Sequence, residues 1–236
     1  MANSRFEYVK GFEQHTTLLP QSFIVIRLDG RGFHKISSFY EFDKPNDIRA
    51  LKLSNAAAKN VCSAIKDVFV AFGESDEYSF ILKPDTQLFN RREDKLVSTF
   101  VSLYTANYIH LWSKFFPDKE IDLKNIPTFD GRAVIYPNVQ IVKDYLSWRF
   151  VDTHINNLYN TTFWALVLKG GLSTKQAEEK LKGSLSSDKN EILFKEFGIN
   201  YNDELEIFKK GSLIYKGEIV HVDVYKKIDE FFKDYL

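Results

Sequence analysis

Apolar and polar positions fall into short blocks along the chain, and the blocks predict a mixed order of strands and helices. FIVIRL, from Phe23 to Leu28, is a brief continuous apolar run, the pattern of a buried strand. Ahead of it, Ser4 to Gln14 predicts a short opening helix, with Ser4 and Glu7 at capping-box spacing. The run ends in DGRGFH, a turn-rich stretch. Beyond Lys44-Pro45-Asn46-Asp47, the residues Ile48, Leu51, Ala58, Val61, Cys62 and Ile65 recur at helical spacing, with Asn46 or Asp47 as the cap. VFVAF (68–72) and YSFIL (78–82) predict two strands joined through GESDE, with Gly73 at the break. A second long helix is predicted from about Asn90 to Phe116, where Leu96, Phe100, Leu103, Tyr104, Asn107 and Leu111 share one face and Pro117 helps to close it. Another strand lies in FDGRAVIYP (129–137).

The order β, α, β, β, α, β is that of a split βαβ, ferredoxin-like unit, so the fold class is α+β. In that topology strands one and three are central neighbours. Asp29, at the end of the first strand, is then expected beside the GESDE tip. After residue 137 the pattern changes. Val139 to Gly171 predicts one or two helices, Ser173 with Gln176 caps a short one, and SSDKNEILFKEFG gives another. IFKKGSLIYKGEIVHV predicts a small hairpin before a C-terminal helix or tail. The expected organisation is a catalytic domain over residues 1–137 and a helical lobe with hairpin and tail over 138–236.

Composition narrows the function. The 236 residues include 44% hydrophobic and 27% charged side chains, which excludes disorder as the main state. Thirty-two basic and thirty-two acidic groups cancel, so a polyanionic partner must be held by local patches rather than a global field. Cys62, the single cysteine, excludes an internal disulfide and a cysteine zinc cluster, and points to a reducing, intracellular compartment, cytoplasmic or nuclear. MANSRFEYVK has no apolar signal core, and no run approaches a membrane span.

The candidate chemistry gathers where the first strand meets the hairpin. Asp29, Asp76 and Glu77 would bring two or three carboxylates to one sheet edge, which like-charge repulsion allows only around a cation. Mg²⁺ fits, because it takes oxygen ligands from one or two carboxylates and completes its shell with phosphate and water oxygens. The layout is that of two-metal phosphoryl transfer. Gly30 and Gly32 offer unobstructed backbone amides for phosphate, Arg31 offers a charge, and Phe33 and His34 offer flat faces to a base. Lys44, Arg91, Arg92 and Lys95, at the starts of the two core helices, are expected on the same edge as triphosphate partners. Nucleotide cyclisation on a related scaffold remains an alternative, as does a catalytically silent RNA-binding module, which would have no use for Asp29 and Asp76.

VIRLDGRGFHKIS, EFDKPND, FGESDEYSF, FDGRAVIYP, DYLSWRFVDTHINNLYNTTFWALV and LSSDKNEILFKEFGINYN, in that order, resemble the tRNA(His) guanylyltransferase family. The resemblance runs from the first residues to about Asn202. It implies a polymerase- or cyclase-type palm that adds a guanylate to the 5′ end of histidine tRNA. ATP would first adenylylate the 5′ phosphate, the 3′ hydroxyl of GTP would then displace AMP, and pyrophosphate would finally be removed. It implies that Asp29, the Gly30 carbonyl and Asp76 hold two Mg²⁺ ions, with Glu77 in support. Asp29 to His34 with Ser75 and Asp76 would form the incoming-nucleotide site. Lys44, Asp47, Arg92 and Lys95 would serve a second triphosphate or the 5′ end. His154, Asn157, Asn160, Lys189, Asn190 and Lys209 would contact tRNA. It also implies a homo-oligomer, a tetramer in this family.

Overall fold

The structure is a computed structural model that describes residues 4–235. Within them, β1 (Phe23–Gly30), β2 (Val68–Glu74), β3 (Glu77–Leu82), β4 (Phe129–Tyr136), β5 (Ser212–Tyr215) and β6 (Glu218–Val220) form one sheet in the order β4-β1-β3-β2-β5-β6. Every pairing is antiparallel. The expected neighbourhood of the first and third strands is therefore present, with Asp29 opposite Glu77. The C-terminal hairpin does not stand apart in the lobe: β5 pairs with β2 and extends the sheet.

Side-chain alternation sends successive residues of β1 to different layers. Ile24, Ile26 and Leu28 belong to the core under α2 (Ile48–Ala64) and α3 (Glu93–Phe115), which Phe80, Phe100, Tyr104 and Trp112 fill. Phe23 and Val25 face the opposite layer, made by α4 (Val139–Leu168) and α8 (Val224–Phe232). Arg27, Asp29, Ser79 and Glu77 continue that second face toward the hairpin end. Asp47 caps α2 by accepting the Arg49 amide, which ends the uncertainty between Asn46 and Asp47. The buried face of α2 is rotated from the expected one: Leu53, Ser54, Asn55, Ala57, Ala58 and Val61 are inside, whereas Ile48, Leu51 and Cys62 are half-buried.

Two local expectations are corrected and a third is narrowed. Ser4 to Gln14 gives only an exposed 3₁₀ turn, Glu7–Phe12, without a capping box, because none of its residues is buried to hold a longer helix. DGRGFH is not all turn. Asp29 and Gly30 finish β1, and Gly32, at φ 63°, turns the chain into the short helix α1 (Phe33–Phe39). Of the one or two helices expected after residue 138, the chain forms one of 30 residues, α4, followed by α5 (Thr174–Leu181), α6 (Ser186–Phe197) and α7 (Glu206–Lys210). The Ser173–Gln176 capping box is present as expected.

Candidate active site

The carboxyl-terminal end of β1 is stitched to the β2–β3 tip by the backbone: the Gly30 amide donates to the Asp76 carbonyl at 3.1 Å. Gly30 can only be glycine here. A Cβ would lie 2.3 Å from the Phe33 ring and 2.7 Å from Asp76 Oδ2. The carboxylate of Asp76 is thereby drawn over the end of β1, next to Asp29. Burial, augmented by the charge of Asp29, raises the Asp76 pKa from its ordinary value. Among the described residues neither Asp29 nor Asp76 joins an ion pair.

That combination fits a divalent cation: two neighbouring carboxylates, one partly desolvated, with no side-chain cation between them. Among the described residues no three His, Cys, Asp or Glu side chains form a metal cluster. Further oxygens would have to come from backbone carbonyl, phosphate or water, which is how Mg²⁺ is usually held.

Glu77 and Glu74 stand differently. Both turn toward Arg149 on α4, whose Nε donates to Glu77 Oε1 at 2.7 Å and whose Nη2 donates to Glu74 Oε1 at 2.5 Å. Asp152 accepts from Nη1 at 3.0 Å. Burial pushes Glu74 up to about 7; Arg149 opposes the shift, and the charges of Glu77 and Asp152 add to it. Glu77 is raised too, by burial first, against Arg149 and Arg27. Glu77 thus braces the hairpin through Arg149.

Two cavities meet at the hairpin tip. One, of about 630 Å³, is lined by Gly30, Gly32, Phe33, His34, Lys44 and Asp47, and closed by Tyr108, Tyr159, Phe163 and Trp164. The other, of about 260 Å³, holds Asp29, Glu74, Asp76, Glu77, Arg149 and Thr153. Ser75, Asp76, Asn46, Leu51, Tyr159 and Asn160 line both. Lys44 stands at the wall of the larger cavity, with Nζ 5.5 Å from the centre of the Trp164 ring and 3.3 Å from Ser37 Oγ. Phe33 packs on Phe129 and Tyr108.

Other expected groups have local duties. The Gly30 and Arg31 amides already donate, to Asp76 and Thr128, leaving those of Gly32, Phe33 and His34 without a backbone partner at the start of α1. The Arg31 side chain is exposed and is not part of either cavity wall. The Asp47 carboxyl is held by Arg49 Nε at 2.9 Å and by the Asp43 amide at 3.1 Å. Burial would raise its pKa, yet these bonds leave it below the ordinary value.

Arg91, Arg92 and Lys95 are not on the carboxylate edge. β3 runs away from the hairpin tip, so the helix that follows it starts at the opposite end of the sheet, about 20 Å away at the strand rise. There Arg92 bridges to Thr17, and buried Arg91 donates to the carbonyls of Leu18, Leu19, Ser22 and Thr86. Within one chain these cations cannot serve a nucleotide at Asp29.

The residues expected at RNA divide as well. Asn157 is buried, accepting from Asn46 Nδ2 at 2.8 Å and donating to the Tyr201 hydroxyl at 2.9 Å. His154 is half-buried with its ring 5.5 Å from that of Tyr201, and burial, then Lys209, lowers its pKa. Asn160 is exposed at the mouth shared by the cavities. Lys189 donates to the Ser184 carbonyl at 2.8 Å and Asn190 to Ser186 at 2.9 Å, both on α6. Lys209 donates to the Asn202 carbonyl at 2.6 Å. The aromatic wall of Tyr159, Phe163 and Trp164, and the Arg149 pairs, had no signal in local spacing, because each depends on where α4 lies.

Carboxylates without ionic partners, beside a large cavity with a lysine and aromatic rings on its walls, make a site suited to a nucleotide polyphosphate. Comparison with known proteins agrees. A family model described as tRNAHis guanylyltransferase matches residues 6–137, and one described as Thg1 C terminal domain matches residues 140–231. The tRNA(His) guanylyltransferases of Kluyveromyces lactis and Saccharomyces cerevisiae are 63% and 61% identical to the chain over 237 residues, covering all of both partners in each case. The crystal structure of the Saccharomyces cerevisiae enzyme superposes with a TM-score of 0.92 at 59% identity, covering 96% of this chain and 100% of that one. A bacterial Thg1-like protein in complex with ATP shares the fold at a TM-score of 0.80 and 24% identity, over 97% of this chain and 96% of its own. The chain belongs to the tRNAHis guanylyltransferase family.

Proposed function

We propose that the protein adds a guanylate to the 5′ end of histidine tRNA, by nucleotidyl transfer on a ferredoxin-like palm of the polymerase and cyclase kind. The observation that carries this reading is the Asp29–Asp76 pair, free of ionic partners, in a small cavity that opens through Asp76 onto a nucleotide-sized one, in a chain of this family. The relatives' name gives the substrate, and the bacterial relatives in complex with ATP and with GTP support both nucleotides as ligands.

In this reading Asp29, Asp76 and the Gly30 carbonyl hold two Mg²⁺ ions, which when bound would neutralise phosphate charge and favour the attacking oxygen. Lys44 and the amides at the start of α1 bind phosphate oxygens. Phe33 and the wall of Tyr159 and Trp164 flank the base and keep water away from it. The 5′ phosphate of the tRNA attacks the α-phosphorus of ATP and releases pyrophosphate. The GTP 3′ hydroxyl then attacks the adenylylated 5′ phosphorus and expels AMP, and the new terminus finally loses pyrophosphate. Because Arg92 and Lys95 lie at the far end of the sheet, a role for them at the second triphosphate needs a neighbouring copy, which supports a homo-oligomer, in our reading a tetramer.

Incubation with labelled GTP, ATP, Mg²⁺ and separate tRNAs tests the proposal. Label is expected at the 5′ end of histidine tRNA alone, with ATP needed for the monophosphorylated but not the triphosphorylated end. An absolute ATP requirement with the triphosphorylated tRNA would remove adenylylation from the account.

A further inference from the structure

The tip that carries Asp76 is two residues long, Ser75 and Asp76, and Ser75 sits at φ 48°, a conformation that a non-glycine residue holds only when its surroundings require it. The last pair of the β2–β3 ladder, immediately beneath that tip, is Glu74 opposite Glu77. Two carboxylates facing each other across a ladder repel and would splay the hairpin. Arg149 prevents this. Its planar fork reaches one carboxylate with Nε and the other with Nη2, while Nη1 is fixed by Asp152, so all three guanidinium nitrogens are engaged. The residue is only 6% exposed and is anchored on the longest helix of the described residues, which also ties β3 through Tyr145 and Ser79 at 2.6 Å. Arg27 approaches Glu77 no nearer than 3.9 Å and cannot replace the fork.

We propose that Arg149 is a positioning residue: by clamping Glu74 to Glu77 it sets the geometry of the Ser75–Asp76 tip, and so the affinity of the Asp29–Asp76 pair for its divalent cations. In this role Arg149 acts through Glu74 and Glu77, its guanidinium nitrogens all being taken up by carboxylates. The proposal rests on Asp29 and Asp76 as the metal ligands, and the test separates the two ideas.

Lysine presents a single ammonium on a flexible stem in place of a rigid planar fork, so Arg149→Lys keeps the charge but loses the fixed two-point grip on both carboxylates. Binding of Mn²⁺ as a Mg²⁺ surrogate is measured on the full chain with GTP and no tRNA, by the loss of the free Mn²⁺ electron paramagnetic resonance signal. The dissociation constant is expected to rise about tenfold, equivalent to about 1.4 kcal/mol. Half-saturating Mg²⁺ in single-turnover guanylylation should rise in parallel, with the rate recovering in excess Mg²⁺ and tRNA affinity unchanged. Adding Glu74→Gln leaves the lysine one carboxylate to serve, and should bring Mn²⁺ affinity back to within about threefold of the native protein. A folded Arg149→Lys protein with native Mn²⁺ affinity overturns the positioning role, as does a double variant that recovers nothing. If the native protein with GTP binds Mn²⁺ no better than its Asp29→Ala variant does, the metal-site reading beneath the proposal fails instead.

Discussion

Asp29 and Asp76 hold their positions without contributing to either core, so removing one carboxylate should leave the fold standing. Asp29→Ala and Asp76→Ala are each expected to lower single-turnover guanylylation more than about a hundredfold, the scale of losing a charge-stabilising group at a reacting phosphate. Circular dichroism and thermal unfolding should stay near those of the native protein. Near-normal turnover in either variant, with Mg²⁺ present, would dismiss the carboxylate pair as the reaction centre. The neighbouring Glu77 was legible as a member of the same acidic cluster, but not as a different kind of member. That distinction comes from Arg149, 72 residues further along the chain.

At the scale of elements, α4 supports the hairpin, walls the cavities and carries three of the residues expected to meet RNA, His154, Asn157 and Asn160. Its polar positions are not equivalent. Asn157 joins the loop before α2 to Tyr201 through two hydrogen bonds. Asn157→Ala should therefore lower unfolding free energy by about 1–3 kcal/mol, the cost of leaving buried partners unsatisfied, as read by urea denaturation. His154, half-buried and held below its ordinary pKa, is uncharged at neutral pH and would meet an exposed base by stacking or hydrogen bonding rather than by charge. His154→Ala is expected to weaken discrimination between histidine tRNA and other tRNAs by roughly 1–3 kcal/mol, with GTP affinity unchanged. A loss of GTP affinity as large as the loss of selectivity would make His154 part of the packing between Tyr201 and α4 alone.

For the molecule as a whole, Glu74 links stability to pH. Its pKa, about 7 in the folded chain against an ordinary 4.5, means that the folded state holds a proton that the unfolded state releases. The associated stability is fully present below about pH 4.5 and is lost as the pH rises through about 7, a change of about 3 kcal/mol at most. Urea midpoints should accordingly decline between pH 5 and 8, and Glu74→Gln, which has no proton to lose, should flatten that slope. An identical decline in the variant would place the titrating group elsewhere.

Short-range pattern was enough for much of the sheet and for the placement of Asp29 beside Asp76. The apolar run before Asp29 and the two short runs flanking Asp76 follow from strand periodicity, and with the split βαβ order they brought Asp29 to the hairpin; the break expected at Gly73 falls instead at Ser75–Asp76, because Gly73 and Glu74 continue β2 opposite Tyr78 and Glu77. Sequence pattern could not say which end of the sheet a helix begins at unless the direction of the preceding strand was followed. Arg91, Arg92 and Lys95 were placed at the wrong end for that reason. Nor could it show that the C-terminal hairpin continues the sheet through β2, that Arg149 bridges Glu74 and Glu77, or that Tyr159 and Trp164 close the larger cavity. Those contacts join residues about 70 to 150 positions apart in the sequence, and their geometry is set by the packing of α4 and β5 against the sheet rather than by any local preference of the residues that make them.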